Sequence, residues 1–244
     1  MTKARSDASN ILKYLELFAI TALILCFGTA TLHRNTVWKS DLRLWYDATR
    51  KSPEKARPHN NLGTIYTKKG MIDEAIREIS IALSKGPTPN RHIALGNAYL
   101  HKGSADLAIA HYRKALLLKP DFSEVHVKIG NVYAMKGMYE SAIKEYRKTI
   151  MLNPGYPEAY VNLASVYGQQ EHYNMALEEL RKAVKIHPGN PDIHYNLGTT
   201  YIALGLYKEA EFEYRKVIHL RPDDREALKN IELLQANKDK ARER

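Results

Sequence analysis

From residue 17 to residue 32 the chain reads LFAITALILCFGTATL, sixteen residues without a charge. From about residue 41 the pattern changes. Apolar residues then recur every three or four positions, the stripe of an amphipathic helix, and Gly and Pro interrupt them regularly. Gly63, Gly96, Gly130, Ala164 and Gly198 are spaced 33, 34, 34 and 34 residues apart. Tyr66, Tyr99, Tyr133, Tyr167 and Tyr201 follow three residues after each. Ala75, Ala108, Ala142, Ala176 and Ala210 come nine residues after each tyrosine, and Pro87, Pro120, Pro154, Pro188 and Pro222 close the units. The pattern predicts two helices per unit. Gly70, Gly103, Gly137 and Gly205 end the first helix, because glycine tolerates the left-handed cap, and the closing proline stops the second. Neither helix can bury its apolar face alone, so neighbouring units must stack.

The small residue after Leu62 or Leu197 lets the two helices of a unit approach closely, and the tyrosine one turn later is expected in the same cleft. The alanine of the second helix marks the tightest contact, so a larger side chain at Ala142 or Ala176 would overpack. Departures are few: Ala164 replaces the glycine, Glu171 occupies the turn-glycine position, and Thr149 stands at a usual alanine. Pro53 lies 34 residues before Pro87, so Asp41–Lys51 reads as the second helix of a half-unit, offering Leu44, Trp45 and Ala48 to the first full unit. At the other end Arg225–Ala236 reads as a lone first helix, with Leu228, Ile231 and Leu234 inward and a frayed charged tail.

These residues in register resemble the tetratricopeptide repeat (TPR) family. The resemblance implies an all-α fold, a superhelical solenoid of antiparallel helix pairs, preceded here by one N-terminal transmembrane helix. The expected division is a tail (1–10), a membrane helix (11–32), a half-repeat cap (36–55), repeats at 56–88, 89–122, 123–156, 157–190 and 191–224, and a capping helix with tail (225–244).

The uncharged run spans about 24 Å as a helix, short of a hydrocarbon core of about 30 Å. Extending it to Ile11 gives 22 residues and takes in Lys13 and Glu16, with Lys13 able to snorkel. A cleaved signal peptide is the alternative, with Lys3, Arg5 and Lys13 as its basic region and Gly28-Thr29-Ala30 as a cleavage site. The run exceeds a usual signal core, which favours an anchor. Basic residues flank it on both sides, so charge does not fix the orientation. Only about eight residues, His33–Ser40, separate the run from the first helix, so the repeats are expected close to the bilayer. The junction residues Arg34-Asn35, Trp38, Leu44-Trp45-Tyr46-Asp47, Lys51-Ser52-Pro53, Ala56-Arg57 and Asn61-Leu62-Gly63 look like those of membrane glycosyltransferases with C-terminal TPR arrays, the transmembrane-and-TPR O-mannosyltransferases. That likeness implies a single-pass protein, in a bacterial inner membrane, with the repeats on the extracytoplasmic side. The family's catalytic acids lie in a loop between early membrane helices, which this sequence lacks.

Charge adds little. Net charge is +10, but residues 56–224 hold 22 basic against 18 acidic residues. No basic stripe of the kind nucleic acid requires is visible. Cys26 is the single cysteine, which excludes an intrachain disulfide. No phosphate-binding loop, nucleophile elbow, zinc motif or dinucleotide fingerprint occurs, so no enzyme activity, cofactor or metal is expected. His59, His126 and His194 fall at the fourth position of repeats 1, 3 and 5, two repeats apart, and read as semi-buried packing residues.

The expected binding surface is the concave face lined by the first helices. Its sixth and ninth positions lie on one helix face and carry Asn61, Lys128, Asn162 and Asn196, then Thr64, Asn97, Asn131, Ser165 and Thr199, with Ala94 as the apolar exception. Asparagine offers both a donor and an acceptor and can hold a peptide backbone without reading its side chains. The ladder is similar to that of the O-GlcNAc transferase superhelix. A clamp for a C-terminal carboxylate is not expected, because Glu124 opposes Lys128. The function expected is a membrane-anchored, non-catalytic scaffold for a protein or extended peptide. The alternative is the substrate-recognition part of a split or truncated membrane glycosyltransferase. End-to-end self-assembly ranks last, since both ends are capped, and a monomeric array is expected.

Overall fold

The computed structural model describes residues 41–242, with side chains as far as residue 236. The expected tail (1–10), the membrane segment (11–32) and the start of the N-terminal cap lie outside these residues. Among the described residues no helix is long and apolar enough to cross a membrane.

Twelve α-helices and no strand make up the described chain. In order they are α1 (Asp41–Lys51), α2 (Ala56–Lys68), α3 (Ile72–Ser84), α4 (Pro89–His101), α5 (Ala105–Leu118), α6 (Ser123–Met135), α7 (Tyr139–Leu152), α8 (Pro157–Gln169), α9 (Tyr173–Ile186), α10 (Pro191–Ala203), α11 (Tyr207–Leu220) and α12 (Arg225–Arg242). Two compact units result, one ending at Ser104 and the other beginning at Ala105. In the first, α1 packs on α2, α2 on α3 and α3 on α4. In the second, each helix from α5 to α12 packs on the next, and the first helices α6, α8 and α10 also touch in sequence.

The turn inside each pair has one construction. Gly70, Gly137 and Gly205 sit at φ 76°, 70° and 72°. The following residue donates its N–H to the tyrosine carbonyl five residues back, as Met71 does to Tyr66 at 2.9 Å and Met138 to Tyr133 at 2.9 Å, a Schellman closure. Glu171 makes the same turn at φ 61°, with His172 N–H bound to Tyr167 O at 2.9 Å. A side chain in that region costs about 1–2 kcal/mol.

The close approach of paired helices differs from the expectation. The cleft at the small residue is filled from the second helix, not by the tyrosine one turn on. A Cβ at Gly130 would lie 2.6 Å from the Tyr146 ring, and one at Gly198 2.8 Å from the Tyr214 ring. Both tyrosines are buried. In repeat 4 the second-helix residue is Leu180, and the small residue is Ala164, so the two departures occur together. The tyrosines one turn on instead bind across repeats. Arg113, Arg147 and Arg181 donate to the hydroxyls of Tyr133, Tyr167 and Tyr201 at 2.7, 2.8 and 3.4 Å.

At the C-terminus the helix runs on to Arg242 rather than ending at Ala236. Ala227 is the fully buried residue of its inner face, while Leu228 is 41% exposed. Ile231 and Leu234 pack on the core as expected. The register of the inner face is therefore one residue earlier at its start, with Ala227, Ile231 and Leu234 recurring at helical spacing.

Candidate functional site

In the second unit the expected ladder residues come together. Along α8, residues Glu158, Asn162, Ser165 and Gln169 recur at helical spacing and form one stripe. The matching stripes are Glu124, Lys128, Asn131 and Met135 on α6, and Asp192, Asn196, Thr199 and Ala203 on α10. Asn162 Nδ2 donates to Asn131 Oδ1 at 2.8 Å, joining repeats 3 and 4. The same oxygen accepts the Tyr146 hydroxyl at 2.8 Å. This leaves Asn131 Nδ2 and Asn162 Oδ1 for a ligand, the donor and acceptor that one peptide unit needs.

Two hollows lie side by side on this face. The first, about 210 Å³, is lined by Asn131, Tyr146, Glu158, Asn162, Ser165 and Gln169 among others. The second, about 270 Å³, is lined by Ala164, Ser165, Leu180, Asn196, Thr199 and Ala203 among others. Ser165 and Gln169 border both. Thr199 shares a 3.1 Å hydrogen bond with the Tyr214 hydroxyl, and Asn196 Nδ2 donates to Asp192 O at 2.7 Å. Lys128 is held by Glu124 at 3.2 Å, so its charge is committed within its own helix. Asn61, Thr64 and Asn97 belong to the first unit. Asn61 is half-buried, and Thr64 spends its hydroxyl proton on Asn60 O at 2.9 Å.

Burial shapes the electrostatics of the face. Desolvation raises the Tyr146 phenol well above its ordinary value, and the Glu158 charge adds to the rise. Burial likewise raises the Tyr214 phenol. Both hydroxyls stay protonated at neutral pH and remain hydrogen-bonding groups.

The histidines do more than pack. His59 and His194 are buried. His59 Nδ1 meets Glu78 Oε2 at 2.7 Å, and His194 Nδ1 meets Glu213 Oε2 at 2.5 Å. Their Nε2 atoms meet the carbonyls of Pro53 at 3.1 Å and Pro188 at 2.8 Å. His126 makes the same bond to Glu145 at 2.7 Å. In repeat 4 Tyr160 takes this place and donates to Pro154 O at 3.1 Å. Each contact ties a first helix to its second helix or to the preceding turn. The signal was legible as a fixed 19-residue His-to-Glu spacing, which a search for metal ligands overlooks.

Comparisons with known proteins agree with the repeat fold. A family model described as TPR repeat matches residues 96–137 and 130–171, and one described as tetratricopeptide repeat matches residues 169–236. The protein O-mannosyl-transferase tmtc2 of Xenopus laevis is 39% identical over 66 residues, 27% of this chain and 8% of that protein's length. The crystal structure of MamA is 27% identical with a TM-score of 0.58, over 66% of this chain and 95% of that one. The structure of YrrB, described as a TPR protein with an unusual peptide-binding site, is 22% identical with a TM-score of 0.55, over 75% of this chain and 95% of that one. From residue 96 to residue 236 the matched repeats follow one another without a gap, over more than half of the sequence, and the chain belongs to the tetratricopeptide repeat family.

Proposed function

We propose that the chain is a non-catalytic scaffold that binds an extended peptide segment of a partner protein along α6, α8 and α10. The observation that carries this reading is the Asn131–Asn162 pair above two adjoining hollows. Its free donor and acceptor match a peptide backbone, and the hollows give alternate side chains somewhere to go. The residues assigned to the contact are Lys128, Asn131, Asn162, Ser165, Asn196 and Thr199 in the second unit, and Asn61, Thr64 and Asn97 are the residues at the same repeat positions in the first. The uncharged run within 11–32 would hold the scaffold in a membrane as a single-pass protein, with the repeats extracytoplasmic.

The test is selection of displayed random dodecapeptides on the full chain. Enriched peptides should lose at least tenfold in affinity for the Asn162→Ala, Asn196→Ala variant, whose thermal melt should match wild type. No enrichment over an unrelated helical protein would refute the reading. Protease access to the repeats in intact against lysed spheroplasts tests the side of the membrane.

The 39% identity to an O-mannosyl-transferase over 66 residues favours a second reading. In it the scaffold presents client protein to a separately encoded membrane glycosyltransferase. Unchanged protein glycosylation after deletion of the chain would remove it.

A further inference from the structure

Repeats 3 and 5 close their first-helix face in one way, and repeat 4 does not. Tyr146 and Tyr214 lie under Gly130 and Gly198, and their hydroxyls reach Asn131 and Thr199 on the binding face. In repeat 4 the corresponding pair is Leu180 under Ala164. Leucine has no ring and no hydroxyl to reach Ser165, and the second hollow opens there, with Ala164, Ser165 and Leu180 in its wall. Its buried wall is Ala164, Leu180 and Thr200, and Ser165, Gln169, Thr199 and Ala203 are exposed at its edge.

The first hollow differs in charge. Glu124, Glu158 and Asp192 occupy one position in successive repeats. Glu124 is paired with Lys128 at 3.2 Å and Asp192 with Arg221 at 2.7 Å. Glu158 has no cationic partner among the described residues; its contact is the Tyr156 hydroxyl at 3.4 Å. An acceptor-only carboxylate beside three side-chain amides, Asn131, Asn162 and Gln169, is complementary to a cation.

We propose that the binding face is selective. The hollow opened by Leu180 takes one aliphatic side chain of the bound peptide, and Glu158 selects a lysine or arginine in the adjoining hollow. First helices of neighbouring repeats lie about 8–10 Å apart, which an extended peptide crosses in roughly three residues at about 3.3 Å each. The pattern read is therefore a basic residue and an aliphatic residue about three apart. This inference rests on the peptide-binding reading above.

The dodecapeptide selection on the full chain tests it with three variants. Wild type should enrich a Lys or Arg three residues from a Leu, Ile or Val. Glu158→Gln should lose the basic preference, with affinity for a basic peptide falling up to about fivefold at low salt, the ceiling for a solvent-exposed pair. The Ala164→Gly, Leu180→Tyr variant recreates the pair of repeats 3 and 5, and should weaken aliphatic-bearing peptides about tenfold or more, as expected for one buried aliphatic side chain. Ala203→Phe, from an exposed position at the edge of the hollow, should do the same without touching the core. Retention of both preferences in all variants overturns the inference. Peptides that lack the pattern, yet depend on Asn162 and Asn196, leave the scaffold reading standing and remove this one. Absence of any enrichment removes both.

Discussion

Replacing Gly130 with Ala and Tyr146 with Leu, singly and together, measures what the close approach of α6 and α7 contributes. A Cβ on Gly130 would stand 2.6, 2.8 and 3.1 Å from three ring carbons of Tyr146. Tyr146 is 1% exposed, so the ring cannot swing into solvent. Overpacking of this kind costs about 1–3 kcal/mol. Alanine is also better than glycine inside a helix, by about 1 kcal/mol, so the single Gly130→Ala change should be net destabilising by only about 0–2 kcal/mol. Tyr146→Leu removes ring contacts and the hydroxyl bond to Asn131, and should cost about 2–3 kcal/mol from a partly refilled cavity and a lost hydrogen bond of about 1 kcal/mol. The double variant has the Ala–Leu pair of repeat 4. It keeps the helix-propensity gain and escapes the clash. The propensity and cavity contributions cancel around the cycle, and the coupling equals the clash itself, about 1–3 kcal/mol. Urea unfolding followed by circular dichroism gives the four stabilities. Amide exchange in α6 and α7 checks that the change is local, since repeat arrays can unfold in parts. Sites that do not interact give additive effects within about 0.3–0.5 kcal/mol. A cycle that closes within that margin would refute the claim that the glycine is there to admit the ring.

Three further outcomes are expected. Glu171→Gly should stabilise the second unit by about 1 kcal/mol, because it relieves a left-handed residue at φ 61°, while Glu171→Ala should not; equal melting temperatures for all three proteins would contradict this. The Glu213→Ala change strips the partner from His194, which is 2% exposed, and should cost about 1–3 kcal/mol in urea unfolding. His194→Tyr should cost less, since it copies Tyr160 of repeat 4 and leaves Glu213 with Lys216 at 3.3 Å. Burial pushes the Tyr112 phenol up to about 12 from 10.0. Its folded value is raised, so its contribution to stability is full below pH 10 and is lost as pH climbs towards 12. Tyr112→Phe should flatten that decline, and an unchanged alkaline unfolding profile would contradict the assignment.

The fold was legible because its signals were periodic. Each turn glycine had one physical requirement, a positive φ, and Glu171 could be named as the weak turn from the period alone. What stayed hidden was how positions pair across a repeat. A spacing in sequence says that Gly130 lies on the inner face of a helix. It does not say that Tyr146, sixteen residues later, fills the space above it, because that depends on how two helices dock. The C-terminal helix shows the same limit. Hydrophobicity points Leu228 inward, whereas the buried residue there is Ala227 and Leu228 is 41% exposed, because the helix's rotation on its neighbour, which composition does not carry, sets the register.

The same distinction separates the parts of the proposed binding face that sequence reveals from those it conceals. The asparagines were visible as a ladder, and a ladder is indifferent to which repeat it runs through. Selectivity needs the repeats to differ, and the differences sit beneath the face rather than on it. Leu180 is 1% exposed and Ala164 3% exposed, so neither would be chosen as a contact residue, and Ala164 read simply as a departure from the consensus glycine. Their effect reaches the surface through what is missing, a phenol ring and its hydroxyl below Ser165. Glu158 is similar in kind: one of three acids at the same position, set apart only by the cations that hold Glu124 and Asp192. In a repeat protein the period therefore specifies the scaffold, and the places where paired departures from the period coincide are where to look for what the scaffold recognises.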